Sequence, residues 1–182
     1  MSQEVGDVRP TSLAEIIGQA GVVEQVRVAL DAARADGRRF DHALLAGPPG
    51  VGKTALSHVV ASEMEAELHE VLGQSILGPG DLNGLLPGAK ELDVVHIDEA
   101  HELPKEMQTA LYLALDQRKL LLPSRAGRTP HSIPLADFTL LLSTTDEYGL
   151  LQPLRDRMRL LLRFAFYGVE ELVDVLRRRI KS

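Results

Sequence analysis

Apolar and polar positions alternate along this chain at two periods. Val22, Val26, Ala29, Leu30 and Ala33 recur at helical spacing, which predicts an amphipathic helix from Val22 to Ala35. Asp36-Gly37 ends it. The apolar run Ala43-Leu44-Leu45-Ala46 reads as a short buried strand, and Leu56, Val59, Val60 and Met64 then share one face of a second helix. Glu67 to Leu72 predicts a further strand. Residues 73–88 carry Gly78-Pro79-Gly80 and Leu86-Pro87-Gly88, which predicts turns around a short helix. Val94 to Ile97 is again a strand. Pro104 to Gln117 follows as a helix, with Met107, Ala110, Leu111 and Ala114 on one side and Pro104 near its start. Leu120 to Leu135 predicts a hairpin, limited to an edge by Pro123 and Pro134. Phe138–Leu142 and Leu160–Phe164 complete five core strands, and Glu170 to Ile180 begins a last helix. Residues 1–8 read as a flexible tail. No internal repeat or low-complexity segment interrupts this order.

Strands alternating with helices predict an α/β fold, a three-layer sandwich around a mainly parallel five-stranded sheet. In such sheets ligands sit at the carboxyl ends of strands. The polar residues at those ends therefore carry most of the functional information.

Gly47-Pro48-Pro49-Gly50-Val51-Gly52-Lys53-Thr54 follows the first strand and opens the second helix. It fits the phosphate-binding P-loop pattern G-x-x-x-x-G-K-[ST] in the strand–loop–helix setting that the pattern requires. Backbone N–H groups of such a loop face phosphate oxygens, and the helix N-terminus adds partial positive charge. Gly47, Pro48, Pro49, Gly50, Val51, Gly52, Lys53, Thr54 and Ala55 are the predicted cradle for ATP. Lys53 is placed to reach the β- and γ-phosphates, and Thr54 to ligate Mg2+. The competing reading is an ordinary Gly/Pro-rich turn before a helix.

Some 45 residues further on, the strand Val94 to Ile97 runs into Asp98-Glu99. Asp98 is predicted to hold the magnesium shell and Glu99 to polarise an attacking water. Surface loops also begin with such pairs. Ser143-Thr144-Thr145 ends another strand, where Thr144 or Thr145 would bond the γ-phosphate or the water, or simply cap the strand end.

Composition narrows the setting. The chain has 182 residues and no cysteine, so disulfides and cysteine-bound zinc are excluded. No apolar run approaches the ~20 residues of a membrane helix, and a cytoplasmic protein is expected. The net charge of −6 argues against nucleic-acid binding by bulk electrostatics. Basic clusters at Arg155, Arg157, Arg159 and Arg163, and at Arg177, Arg178, Arg179 and Lys181, read first as solvated faces.

From Arg9 to about Arg179 the chain resembles the AAA+ ATPase domain of the bacterial RuvB Holliday-junction branch-migration helicases. The stretches that carry the resemblance are Arg9-Pro10, Ile16-Ile17-Gly18-Gln19, Asp41-His42-Ala43-Leu44-Leu45 before the P-loop, and Gly80-Asp81-Leu82. They continue with Ile97-Asp98-Glu99-Ala100-His101, Phe138-Thr139-Leu140, Pro153-Leu154-Arg155-Asp156-Arg157, and Phe166-Tyr167 before Glu170-Glu171-Leu172. The resemblance implies a Mg-dependent ATPase that cycles between ATP and ADP in a hexameric ring and drives branched DNA. It implies that Arg9, Pro10, Ile16 and Ile17 lie against adenine. Thr145 would be the γ-phosphate sensor. Arg157 would be the arginine finger reaching a neighbour's ATP, with Arg155 as the other candidate.

Residues 9–167 would form the nucleotide-binding domain. Residues 168–182 would start a helical lid, with the rest of the lid and a DNA-binding winged helix expected to be missing. The hairpin at 120–135 would be the pre-sensor hairpin that docks a junction-binding partner protein. Its Pro123 and Ser124 stand where the family has branched apolar residues, and His101-Glu102 replaces a His-Arg pair. The run Asp98-Glu99-Ala100-His101 also spells the DEAH box of another helicase class, which nothing else in the chain supports. The second reading is a nucleotide-binding regulatory or assembly module with little DNA activity. In either case the isolated chain is expected to be a weak ATPase.

Overall fold

A computed structural model describes residues 10–122 and 131–181. The expected tail at 1–8, Arg9, and the hairpin positions Pro123 and Ser124 lie outside the described residues. Helix α1 spans Ala20–Ala35 and buries Val22, Val26, Ala29, Leu30 and Ala33, the five positions of the helical stripe. Strand β1 is Ala43–Ala46, buried throughout, and α2 is Lys53–Glu63. Strand β2 (Leu68–Leu72), helix α3 (Pro79–Leu85) and β3 (Val94–Asp98) follow. Helix α4 runs Lys105–Gln117. The chain continues through β4 (Lys119–Leu122), β5 (His131–Pro134), β6 (Thr139–Thr144), α5 (Gln152–Arg155), β7 (Leu160–Arg163) and α6 (Val169–Lys181).

Five strands form one sheet in the order β2-β3-β6-β1-β7, every neighbouring pair parallel. The predicted five-stranded parallel sheet is thus observed. Strands β4 and β5 pair separately and antiparallel, Lys119 opposite Pro134 and Leu122 opposite His131, as the hairpin pattern anticipates. Helix α5 is a single turn that the periodicity did not announce, because four residues carry no repeat. Strand β6 extends to Thr144, two residues beyond its apolar run, because Ser143 and Thr144 are themselves buried.

Side chains alternate across the sheet and divide the core in two. Leu44, Val95, Ile97, Leu140 and Leu142 pack with Leu82 of α3 and Met107 and Leu111 of α4. Ala43, Leu45, Val94, Leu141 and Leu162 pack on the other face with Val26 and Leu30 of α1 and Leu56 and Val60 of α2. Each fully buried leucine contributes about 2 kcal/mol of apolar transfer. Two cores on one sheet clamp β1, β3 and β6 from both sides. The loops after those three strands are therefore anchored on rigid elements.

Candidate functional site

The carboxyl ends of β1, β3 and β6 lie side by side. Ala46, the last residue of β1, stands in register with Thr144 of β6, and Ile97 of β3 with Leu142. The P-loop, Asp98-Glu99 and Thr144-Thr145 therefore leave the sheet along one edge. P-loop residues, Asp98 and Glu99 line an open cavity of about 320 Å³. A second cavity of about 280 Å³ adjoins it, lined by Leu72, Gln74, Glu99, His101, Glu102 and Thr145. Glu99 stands between the two.

Two glycines set the loop's path. A Cβ on Gly47 would sit 2.7 Å from the carbonyl oxygen of Phe164, so only glycine lets β1 turn away beside β7. Gly52 has φ +96°, in the left-handed region, and directly precedes α2. The first helical bond of α2 runs from the Leu56 N–H to the Gly52 carbonyl. Lys53, Thr54 and Ala55 therefore supply first-turn amides that have no partner within the helix.

Lys53 is buried, and its ammonium donates to the carbonyls of Gly47 (2.8 Å) and Pro48 (2.7 Å). Burial pushes its pKa down, against the pull of the Glu99 and Asp98 carboxylates. The Thr54 hydroxyl donates to Asp98 Oδ2 at 3.0 Å. Asp98 Oδ1 accepts from the Glu99 amide at 2.9 Å and from the Ser143 hydroxyl. Burial raises the Asp98 pKa, but the Ser143 bond, the nearby His96 and the Thr54 and Glu99 bonds together prevail and hold it below the usual carboxylate value. Hydroxyl and carboxylate oxygens paired this way suit a hard divalent cation such as magnesium.

Glu99 adopts φ +48°, a left-handed conformation that costs a non-glycine residue energy and that clusters at functional sites. Its Oε2 accepts from the Thr145 hydroxyl at 3.2 Å and lies 3.3 Å from His101 Nδ1. The two threonines are thereby told apart. Thr145 is exposed and touches Glu99. Thr144 is buried, bonded to His101 Nδ1 at 3.0 Å and to the backbone of Asp146.

Other predicted residues divide by position. Ile16 is half-buried and packs against the core cluster that includes Val51. Gly18 abuts the Tyr167 ring, and the Gln19 amide brackets Ala165 with bonds of 2.7 and 3.1 Å. The Tyr167 hydroxyl donates to the Val51 carbonyl at 3.0 Å, so the segment holding Ile16 and Ile17 is docked against the P-loop. Pro10 is half-buried at the start of that segment. The residues alone assign no role to Tyr167; a tyrosine closely following a core strand is the available signal.

Arg157 is not brought to this chain's own P-loop. It forms a two-pronged ion pair with Asp116, at 2.9 and 2.5 Å, and lies 5.0 Å over the Tyr112 ring. Asp116 lies in the last turn of α4, the helix that returns from the site toward the strands' amino ends. Arg159, two residues on, bonds Asp41 before β1 at that opposite edge. Arg155 instead sits 5.3 Å over Tyr148.

With that geometry established, comparisons with known proteins agree. Residues 8–164 match the family model for the Holliday junction DNA helicase RuvB P-loop domain. The RuvB subunit of the Holliday junction branch migration complex from Koribacter versatilis is 39% identical over 173 residues, covering 94% of this chain and 48% of its own. The same subunit from Lactiplantibacillus plantarum is 40% identical, with 94% and 52% covered. A point mutant of Thermotoga maritima RuvB superposes with a TM-score of 0.86 at 38% identity, covering 94% of this chain and 54% of that structure. The structure of the Thermotoga maritima RuvB Holliday junction branch migration motor superposes with a TM-score of 0.83 at 38% identity, with 93% of this chain and 53% of that structure covered. The chain spans about half the length of the curated relatives it matches. This chain belongs to the RuvB P-loop domain family.

Proposed function

We propose that this chain binds ATP with magnesium at the P-loop, hydrolyses it, and serves as the ATPase unit of a branch-migration motor. The observation that carries the reading is the convergence of three strand ends, which sets the Thr54 hydroxyl 3.0 Å from Asp98 beside Lys53 and Glu99. In this reading Gly47 to Ala55 cradle the phosphates and Lys53 exchanges its loop carbonyls for phosphate oxygens. Thr54 and Asp98 hold the cation. Magnesium, when bound, neutralises charge on the phosphate oxygens. Glu99 orients and polarises the attacking water, and Thr145 couples that carboxylate to the γ-phosphate. Arg9, Pro10, Ile16 and Ile17 line the adenine side.

Arg157 serves a neighbouring subunit's nucleotide, supported by its anchorage toward the opposite sheet edge. A homo-oligomeric ring, six-membered as the resemblance implies, follows from that assignment. Residues 9–167 act as the nucleotide-binding unit and 168–182 open a lid. A junction-binding partner docks on the hairpin at 120–135, and branched DNA is the motor's track. The site of action is the cytoplasm; among the described residues no helix is long and apolar enough to cross a membrane.

The test is an ATP titration in magnesium. Lys53→Ala is expected to remove measurable ATP affinity while leaving the far-ultraviolet dichroism unchanged. Unaltered affinity would overturn the proposal.

A further inference from the structure

Behind Asp98, away from the cavity, three polar side chains fill a place that leucine or valine would fill at lower cost. His96, Ser57 and Ser143 are all wholly buried. They belong to three elements, β3, α2 and β6. Burying a hydroxyl or an imidazole is unfavourable unless each polar atom finds a partner. Here each does. His96 Nε2 lies 2.9 Å from Ser143 Oγ, and Nδ1 lies 3.1 Å from Ser57 Oγ. The Ser57 hydroxyl donates to the Thr54 carbonyl at 2.7 Å. Glu70 Oε1 stands 3.7 Å from Nδ1, and the other oxygen of Glu70 is 3.1 Å from His58.

Counting protons gives the file a direction. An ionised Asp98 can only accept, so the single Ser143 proton is spent on Asp98 Oδ1. The Ser143 oxygen then faces His96 with a lone pair, and His96 Nε2 must carry a hydrogen. Nδ1 then faces a Ser57 oxygen, 3.1 Å away, whose single proton is shared with the Thr54 carbonyl. Asp98 Oδ1 is thus tied twice to the protein, by Ser143 and by the Glu99 amide, while Oδ2 accepts from the Thr54 hydroxyl.

We propose that His96 is a positioning residue for the cation site: acting through Ser143, its Nε2–H fixes the Asp98 carboxylate with Oδ2 turned toward Thr54. The inference rests on the reading that Thr54 and Asp98 hold magnesium. Residues behind a metal ligand that orient it typically change metal affinity about 10–100-fold when replaced.

Two measurements on the full chain test it. The first is the long-range proton–nitrogen-15 correlation of the His96 ring in the unmodified protein, without metal or nucleotide. A hydrogen on Nε2 is expected; a neutral ring protonated on Nδ1 overturns the proposal. The second compares His96→Phe with His96→Gln, reading the manganese concentration needed for half-maximal binding of a fluorescent ATP analogue, beside its affinity in chelator. Phenylalanine keeps the bulk and removes the donor; glutamine keeps an N–H near the Nε2 position. The expected result is a rise of about 10-fold or more in the cation requirement for His96→Phe, unchanged affinity in chelator, and recovery of most of the loss in His96→Gln. An unshifted cation requirement in His96→Phe overturns the proposal. If that variant does not fold, the ring correlation decides alone. If the unmodified chain shows no cation-dependent nucleotide binding, the ATPase reading fails, and the ring correlation still judges the geometry of the file.

Discussion

The Thr54 hydroxyl and the Asp98 carboxylate, 44 residues apart in sequence, meet at 3.0 Å where β1 and β3 leave the sheet. In the proposed site the Thr54 hydroxyl and the Asp98 carboxylate would hold, in place of this bond, the cation that supplies charge neutralisation to the phosphates. Thr54→Val keeps the shape and removes the hydroxyl. We expect it to raise the magnesium concentration needed for ATP binding about 10-fold, with little change in affinity in chelator. Its stability in urea should fall by about 1 kcal/mol or less, the net worth of one hydrogen bond. An unaltered magnesium requirement would place the cation elsewhere.

Much of this arrangement was legible in the chain. The stripe Val22, Val26, Ala29, Leu30 and Ala33 is the buried face of α1, and the hairpin was visible in its two apolar pieces. The P-loop and Asp98-Glu99 were legible because strand-end chemistry is local. What depends on register was hidden. Asp98 and His96 are two apart in one strand and so share a face, which alternation alone reveals. That Ser143 stands beside Asp98 requires knowing that β3 pairs with β6 in the observed register. The left-handed backbone of Glu99 has no sequence signal, and glutamate does not favour that region.

His42 carries a pH dependence. Its Nδ1 accepts the Leu140 amide at 2.8 Å between β1 and β6. Burial, aided by Arg39, lowers its pKa from 6.5 to about 3, with Asp137 and Asp41 opposing and Arg118 adding. Between those values the unfolded chain binds a proton that the folded chain does not, so stability falls as pH falls. From pH 7 to pH 5 the loss from this group should be about 1–2 kcal/mol. His42→Asn, which keeps an acceptor for Leu140, should flatten that portion of the curve. Urea midpoints at the two pH values check it, and parallel slopes for the two proteins would contradict the assignment.

The anchorage of Arg157 to Asp116 bears on subunit sharing. Arg157→Ala and Glu99→Gln chains should each be nearly inactive alone; loss of an arginine finger alone typically costs ~10³–10⁵ in rate. Mixed together they should regain part of the activity, since some interfaces then pair an intact Glu99 with an intact Arg157. Unmixed turnover should rise with protein concentration. Absence of recovery, with vigorous turnover by a monomer in sedimentation, would place the complete site within one chain.

The most direct measurement is phosphate release by Glu99→Gln beside its ATP titration. Glutamine matches the shape of glutamate and keeps an oxygen near the Thr145 hydroxyl, but it cannot accept a proton from water as a carboxylate does. The account predicts ATP affinity close to that of the unmodified chain and phosphate release nearly abolished. Turnover at the unmodified rate, with ATP bound equally well, would contradict it.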